Sequence, residues 1–230
     1  MHEYLIHVLP SGTIFQIKCS PFARLRADEI FREYQEQAYN GSLIFRRWPL
    51  GMHMLRGSML TNYFSQNTGV PYRYVGGTEG TVPFDRAASA VSKARNMIIS
   101  QIKLATGSDI SFNEVLSAAY MENQGMSYHS DAETGLGPDV AGLSLGAPAV
   151  MRFRPTKRYV AEFGGTRTCH ASFYLGHGDI LWMRGSKVQE YYQHEVKPSN
   201  FRIAATARFI SPENYSSSKA RPSTSNPCNI

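Results

Sequence analysis

Cysteine is scarce. There are three, Cys19, Cys169 and Cys228, odd in number and far apart in a chain of 230 residues. That spacing argues against a disulfide framework and a cysteine-built zinc site, and fits a reducing, intracellular compartment. Long apolar runs are missing too: none approaches the ~20 residues that span a bilayer, so no membrane partner is expected. The opening Met1-His2-Glu3-Tyr4-Leu5 has no basic stretch, which argues against a secretory signal. Neither 19 Gly nor 12 Pro reaches collagen-like or low-complexity levels. Acidic side chains are the minority, 18 against 24 Lys and Arg, giving a net charge of +6 and a pI near 9.3. This balance permits an anionic partner, nucleic acid or a carboxylate or phosphate metabolite, without requiring one. No internal repeat is present, and no obligate protein partner is evident.

What is present is enough apolar surface for one core, with 42% hydrophobic residues. A short strand is expected over Gly12–Ile17. A helix follows, opened by Asp28-Glu29 and running to about Asn40-Gly41, with Arg32, Glu33, Glu36 and Gln37 on a solvated face. A second helix is expected from after Pro83 to near Gly107, because Ala87, Val91, Ala94, Ile98 and Ile102 recur at three- and four-residue steps. From Phe112 the pattern changes to short strands: Val115–Tyr120, Val140–Leu145, Ala149–Phe153, Ser172–Leu175, Ile180–Met183 and Arg202–Phe209. Turns are expected at 135–138, 163–165 and 177–179. Many short strands over about 100 residues predict a sandwich or jelly roll. The expected organisation is α+β: an N-terminal helical and strand region over 1–110, continuous with a catalytic core over 111–210, then a flexible polar tail over 211–230.

One constellation carries chemistry. His129-Ser130-Asp131 follows a strand, and His194 lies 63 residues further on. Residues two apart in an extended segment point to the same side, so His129 and Asp131 can reach one ion, with a third ligand from another strand. Two His and one carboxylate on one face suit non-haem Fe(II); zinc accepts the same donors. Arg202 and Arg208 sit six apart on an expected last strand, so their guanidinium groups share a face. A buried arginine pair needs an anion, and a dicarboxylate would satisfy both through bidentate forks.

Tyr120, His129-Ser130-Asp131, Leu143-Ser144-Leu145-Gly146, His177-Gly178-Asp179, His194 and Arg202-x5-Arg208 together resemble, in order, the AlkB-like Fe(II)/2-oxoglutarate dioxygenases. The resemblance covers about residues 50–210. It implies a double-stranded β-helix (jelly roll) with helices packed outside, and Fe(II), 2-oxoglutarate and O₂ as reactants. By the same resemblance His129, Asp131 and His194 would hold the metal. Arg202, helped by Tyr120, would pair with the distal carboxylate of 2-oxoglutarate. Arg208 would lie near its other carboxylate or support the iron ligands, with Thr206 between the two arginines. Two departures stand out: Ala118 and Ala204 occupy positions where the family often has Asn. Upstream, Leu55-Arg56 and the Tyr72–Gly77 segment resemble a nucleobase lid, with Arg56 reaching the lesion strand and Tyr72 or Tyr74 against the base. Glu133 matches an acidic residue that contacts the base. A structural role suits His177 better than metal ligation.

Two substrate classes follow. The first is an alkylated nucleobase, oxidatively demethylated, with the basic run Met151–Arg158 at a groove edge. The second is a small amine, amino acid or specialised metabolite that is hydroxylated, desaturated or cyclised. In that case Arg152 and Arg154, which share a face, would grip a substrate carboxylate from inside the barrel.

Overall fold

The structure, a computed structural model, describes residues 3–49, 60–71, 80–131 and 135–211. Helix α1 (Pro21–Tyr39) starts seven residues ahead of the expected Asp28-Glu29 boundary. Its real start signal is Ser20-Pro21. The Ser20 hydroxyl accepts from the Ala23 amide at 3.2 Å, and proline fits the first helical position, where no N–H is needed. Ala23, Ala27, Ile30 and Tyr34 form its buried stripe. Helix α2 (Ser89–Thr106) begins after a 3₁₀ turn at Phe84–Arg86 and ends on Gly107 in the left-handed conformation.

The face of α1 expected to be solvated is partly the contact between the helices. Lys93 reaches both Glu29 and Glu33. Gln37 Oε1 accepts from the Ala90 amide at 3.1 Å, capping an α2 whose own N-cap, Ala88, has no side chain to do so.

Among the described residues, eleven strands form two antiparallel sheets. They are β1 (Tyr4–Leu9), β2 (Gly12–Ile17), β3 (Phe64–Gly69), β4 (Glu114–Tyr120), β5 (Met126–His129), β6 (Leu136–Gly146), β7 (Ala149–Pro155), β8 (Ala171–Leu175), β9 (Ile180–Arg184), β10 (Tyr192–Pro198) and β11 (Arg202–Ile210). The larger sheet runs β1-β2-β9-β6-β11-β4-β3, the smaller β5-β10-β7-β8. A short helix α3 (Ser186–Tyr191) leads into β10. The result is the expected jelly-roll core, with α1 and α2 covering the outer face of the larger sheet.

The two faces of that sheet have separate cores. Val115, Ala119, Leu143, Ile203 and Ala205 join the helices in one cluster. Val140, Leu181 and Met183 meet Met151, Phe153 and Phe173 of the smaller sheet in another. Burying ~2 kcal/mol per large apolar side chain on each face is what fixes strand register, since a one-residue slip would reverse both faces.

One turn expectation changes and one holds. Gly137 and Pro138 belong to β6, because Ile210 of β11 pairs with Leu136 and keeps the strand going. A Cβ on Gly137 would sit 3.0 Å from the Phe209 carbonyl, so that close pairing favours glycine. The turn at His177-Gly178-Asp179 is as expected and structural. His177 Nδ1 accepts from the Gly146 amide at 2.8 Å. Asp179 accepts from Lys18 Nζ at 2.8 Å and from the amides of Cys19 and Gly176 at 3.0 Å each.

Candidate metal and co-substrate site

His129 ends β5 and His194 lies on β10, directly opposite in register. Their rings are 4.2 Å apart. Register there slips: two steps on β10 from His194 to Val196 match three on β5 from His129 to Met126. This bulge lets Met126 and His129, three apart, both face inward; a regular pleat would put them on opposite sides. Asp131 follows two residues later, 4.0 Å from His129 Nε2 and 3.8 Å from His194 Nε2. One donor atom from each of the three lies within 4.8 Å of the others.

The donor set fits a divalent cation. His129 Nδ1 lies 2.8 Å from the Ser127 carbonyl, which can only accept, so Nδ1 is the donor there and Nε2 is the ring atom left to face a cation. Burial first, then the adjacent His129, pushes His194 down to about 3 against the pull of Asp131, leaving the imidazole neutral at physiological pH. Burial alone would raise the Asp131 carboxyl, but Arg208, His194 and His129 outweigh it and hold it below the ordinary value. Arg208 reaches Asp131 at 3.6 Å and Glu114 at 3.5 Å, all three buried. Arg208 thus lies between Asp131 and Glu114.

Arg202 is different. It is 3% exposed, and its only hydrogen bond among the described residues runs from Nη2 to Ser144 Oγ at 2.9 Å. Nε and Nη1 have no hydrogen-bond partner among those residues. A buried guanidinium in this state is costly, and it matches a carboxylate fork. Tyr120 is its cross-strand partner, with the ring 5.6 Å from the guanidinium. Burial pushes the Tyr120 hydroxyl up to about 12, so it remains a neutral donor. Thr206 and Ala204 line the same cavity as the His–Asp–His set. Ala204 and Ala118 are direct cross-strand partners, so the two departures from the family pattern make one small-residue patch.

Arg152 and Arg154 point the other way. Alternation along β7 sends Met151 and Phe153 into the sandwich and the arginines to its outer face. The interior placement expected for a carboxylate grip is therefore corrected. On the outside, Arg152 and Lys197 share Glu195 at 3.3 and 3.4 Å. Arg154 and Arg167 share one neutral oxygen, Gln193 Oε1, and Arg154 stacks over Tyr128 at 3.7 Å. Arg56, Tyr72, Tyr74 and Glu133 lie outside the described residues.

Two functional neighbours were given no role by the sequence. Ser144 was quoted only as part of a motif, and Glu114 had no motif at all. Both become visible only through strand register: Glu114 lies directly opposite Arg208, and Ser144, opposite Ala204, is reached diagonally by Arg202.

Comparisons agree with this geometry. The sequence profile of the 2OG-Fe(II) oxygenase superfamily matches residues 23–216. Among curated proteins, none matches the chain. The solved structure of OsALKBH1, a plant AlkB homologue, superposes with a TM-score of 0.53 at 16% identity, covering 88% of this chain and all of that one. At that identity the likeness speaks for the fold.

Proposed function

The chain belongs to the 2OG-Fe(II) oxygenase superfamily, a non-haem iron oxidoreductase using 2-oxoglutarate and O₂, and we propose that it demethylates an alkylated nucleobase. When bound, iron and 2-oxoglutarate supply the oxidising power, consuming O₂ and releasing succinate and CO₂. The chain's own residues do the rest. His129, Asp131 and His194 hold the cation, and Arg208 fixes Asp131 in its ionised form. Arg202, Tyr120 and Thr206 bind and orient the keto acid across the cavity. Leu116, Met126, Met151, Leu181 and Met183 wall it off from water. An N-methyl group hydroxylated there becomes N–CH₂OH. Its C–N bond then breaks, giving formaldehyde and the free N–H.

The observation carrying the oxygenase reading is the buried, half-satisfied Arg202 in the same cavity as the triad. The nucleobase reading is supported by the outer face of the smaller sheet. There Arg154 and Arg167 crowd onto a neutral acceptor rather than a carboxylate, which leaves cationic capacity for phosphates. The small-molecule alternative loses the support it drew from Arg152 and Arg154 facing inward. No helix among the described residues is long and apolar enough to cross a membrane.

The test is succinate and formaldehyde release with Fe(II), ascorbate and 2-oxoglutarate, with and without single-stranded oligonucleotides carrying one N-methylated adenine or cytosine. Stimulated succinate matched by formaldehyde is expected. Succinate indifferent to every oligonucleotide refutes the nucleobase assignment and leaves the oxygenase.

A further inference from the structure

Strand β3 is an edge strand with a polar sequence, Phe64-Ser65-Gln66-Asn67-Thr68-Gly69, yet its four central residues are buried. Register with β4 sorts its side chains. Gln66 and Thr68 oppose Ser117 and Val115 on the helix-covered face. Ser65 and Asn67 oppose Ala118 and Leu116, which line the cavity. On the helix face Gln66 Oε1 accepts from the Ile44 amide at 2.7 Å. On the cavity side Ser65 Oγ and both ends of the Asn67 carboxamide, at 0% and 2% exposure, have no hydrogen-bond partner among the described residues. The Thr68 hydroxyl is also unpaired, but on the opposite face. A buried amide with neither end satisfied destabilises a fold, and its presence calls for a ligand or a water that uses it.

The surroundings indicate a ligand. Ser65, Ala118, Ala204 and Ser144 are successive cross-strand partners over β3, β4, β11 and β6. This row holds only small side chains and runs from β3 to Ser144, the residue that Arg202 contacts, with Tyr63, Tyr120 and Met126 packed against its two alanines. The Asn67 row beside it runs through Leu116, Thr206 and Gly142, all cavity-lining. Ala118 and Ala204 of that row line the same cavity as His129, Asp131 and His194. Gln16 of β2 donates to the Tyr174 carbonyl of β8, so β8 overlies the β2 side of the larger sheet and β5 the β3 side. At that shared edge His129 has 30% of its side chain exposed, against 5% for Asp131 and His194.

We infer that Ser65 and Asn67 are specificity-determining residues that seat the substrate, hydrogen-bonding an edge where a donor and an acceptor lie side by side, as on a nucleobase. This rests on the nucleobase reading above. The amide supplies the complementary acceptor and donor, and Ser65 a third, rotatable group. Such a site would discriminate strongly, because a ligand lacking the matching edge leaves buried polar atoms unmet.

The logic makes stability and function move in opposite directions. Asn67→Leu removes an unpaired amide at similar volume, so the iron-loaded full chain should melt about 2–4 °C higher. With the same N-methylated oligonucleotides, kcat/KM for formaldehyde should fall about tenfold, through KM. Succinate released per formaldehyde should rise, marking keto acid consumed without a seated substrate. Ser65→Ala, too small to crowd the fold, should show the same trends more weakly. A higher melting point with wild-type coupling would mean that the amide is idle, and overturns the inference alone. A lower melting point in both variants would mean a structural water satisfies these groups, and overturns it too. If the wild type itself yields no formaldehyde from any oligonucleotide while still forming succinate, the nucleobase reading fails and takes this inference with it.

Discussion

Arg208 offers the sharpest test of how the site is held together. Its guanidinium lies 3.6 Å from Asp131 and 3.5 Å from Glu114, with all three side chains at 5% exposure or less. Arg208→Met keeps most of the volume and removes the cation. Removing one partner of a buried charge pair costs about 3–5 kcal/mol, because the remaining carboxylate stays in a low-dielectric setting. At about 2–4 °C per kcal/mol for a chain of this size, the metal-free variant should melt roughly 6–20 °C lower at pH 7.5. The pH dependence gives the cause.

In the wild type Asp131 is held below its ordinary value, so its contribution is present at neutral pH and lost only as pH falls through that depressed value. Without Arg208, burial dominates and the carboxyl rises above its unfolded value. Its contribution is then complete below the unfolded pKa of about 3.9 and lost as pH rises through the folded one. Acidification from pH 7.5 to 5 should therefore narrow the gap between variant and wild type. Differential scanning fluorimetry in EDTA measures it, with Arg208→Lys as the charge-preserving control. A gap under about 2 °C, or one unchanged between the two pH values, would refute the claim that Arg208 holds Asp131 ionised.

Other outcomes follow from the same geometry. His129→Ala or Asp131→Ala should abolish both succinate and formaldehyde, and full activity in either would remove that residue from the metal site. Arg202→Ala should raise the KM for 2-oxoglutarate about 100-fold, since a charge-assisted fork contributes roughly 3 kcal/mol. An unchanged KM would take Arg202 out of the co-substrate site. For His177, burial first and then Arg24 lower the pKa against Asp28. The unfolded chain thus takes up a proton near pH 6.5 that the fold refuses, and stability is lost as pH falls below that value. His177→Gln should flatten part of that decline in zinc-loaded protein melted between pH 7.5 and 5.5, and an unaltered slope would contradict it.

Much of the jelly roll was legible because β4, β6, β7, β9 and β11 are short, mostly apolar and bounded by turn residues. Strands β3 and β10 were not in view. Their sequences, Phe64–Gly69 and Tyr192–Pro198, are polar because they serve a cavity or a charged outer face rather than a dry core. The six-residue spacing of Arg202 and Arg208 was readable as a shared face. That one arginine would be paired and the other left open was not, since Glu114 and Ser144 meet them only through strand register. The β5 bulge had no local signal either. It is defined by what β10 does 65 or more residues downstream.

The site is divided between two sheets. His129, Asp131 and His194 come from the smaller sheet and its edge, whereas Arg202, Thr206 and Tyr120 come from the larger one. On the proposed assignment, metal and keto acid bound together would act as a rivet through the sandwich, with the Asp131–Arg208 contact as its protein-only counterpart. A substitution that lets the sheets slide by a fraction of an ångström, far from any ligand, would misalign the two halves while each stayed folded. Activity in such a chain should be lost before structure is, and saturating both ligands should restore part of it.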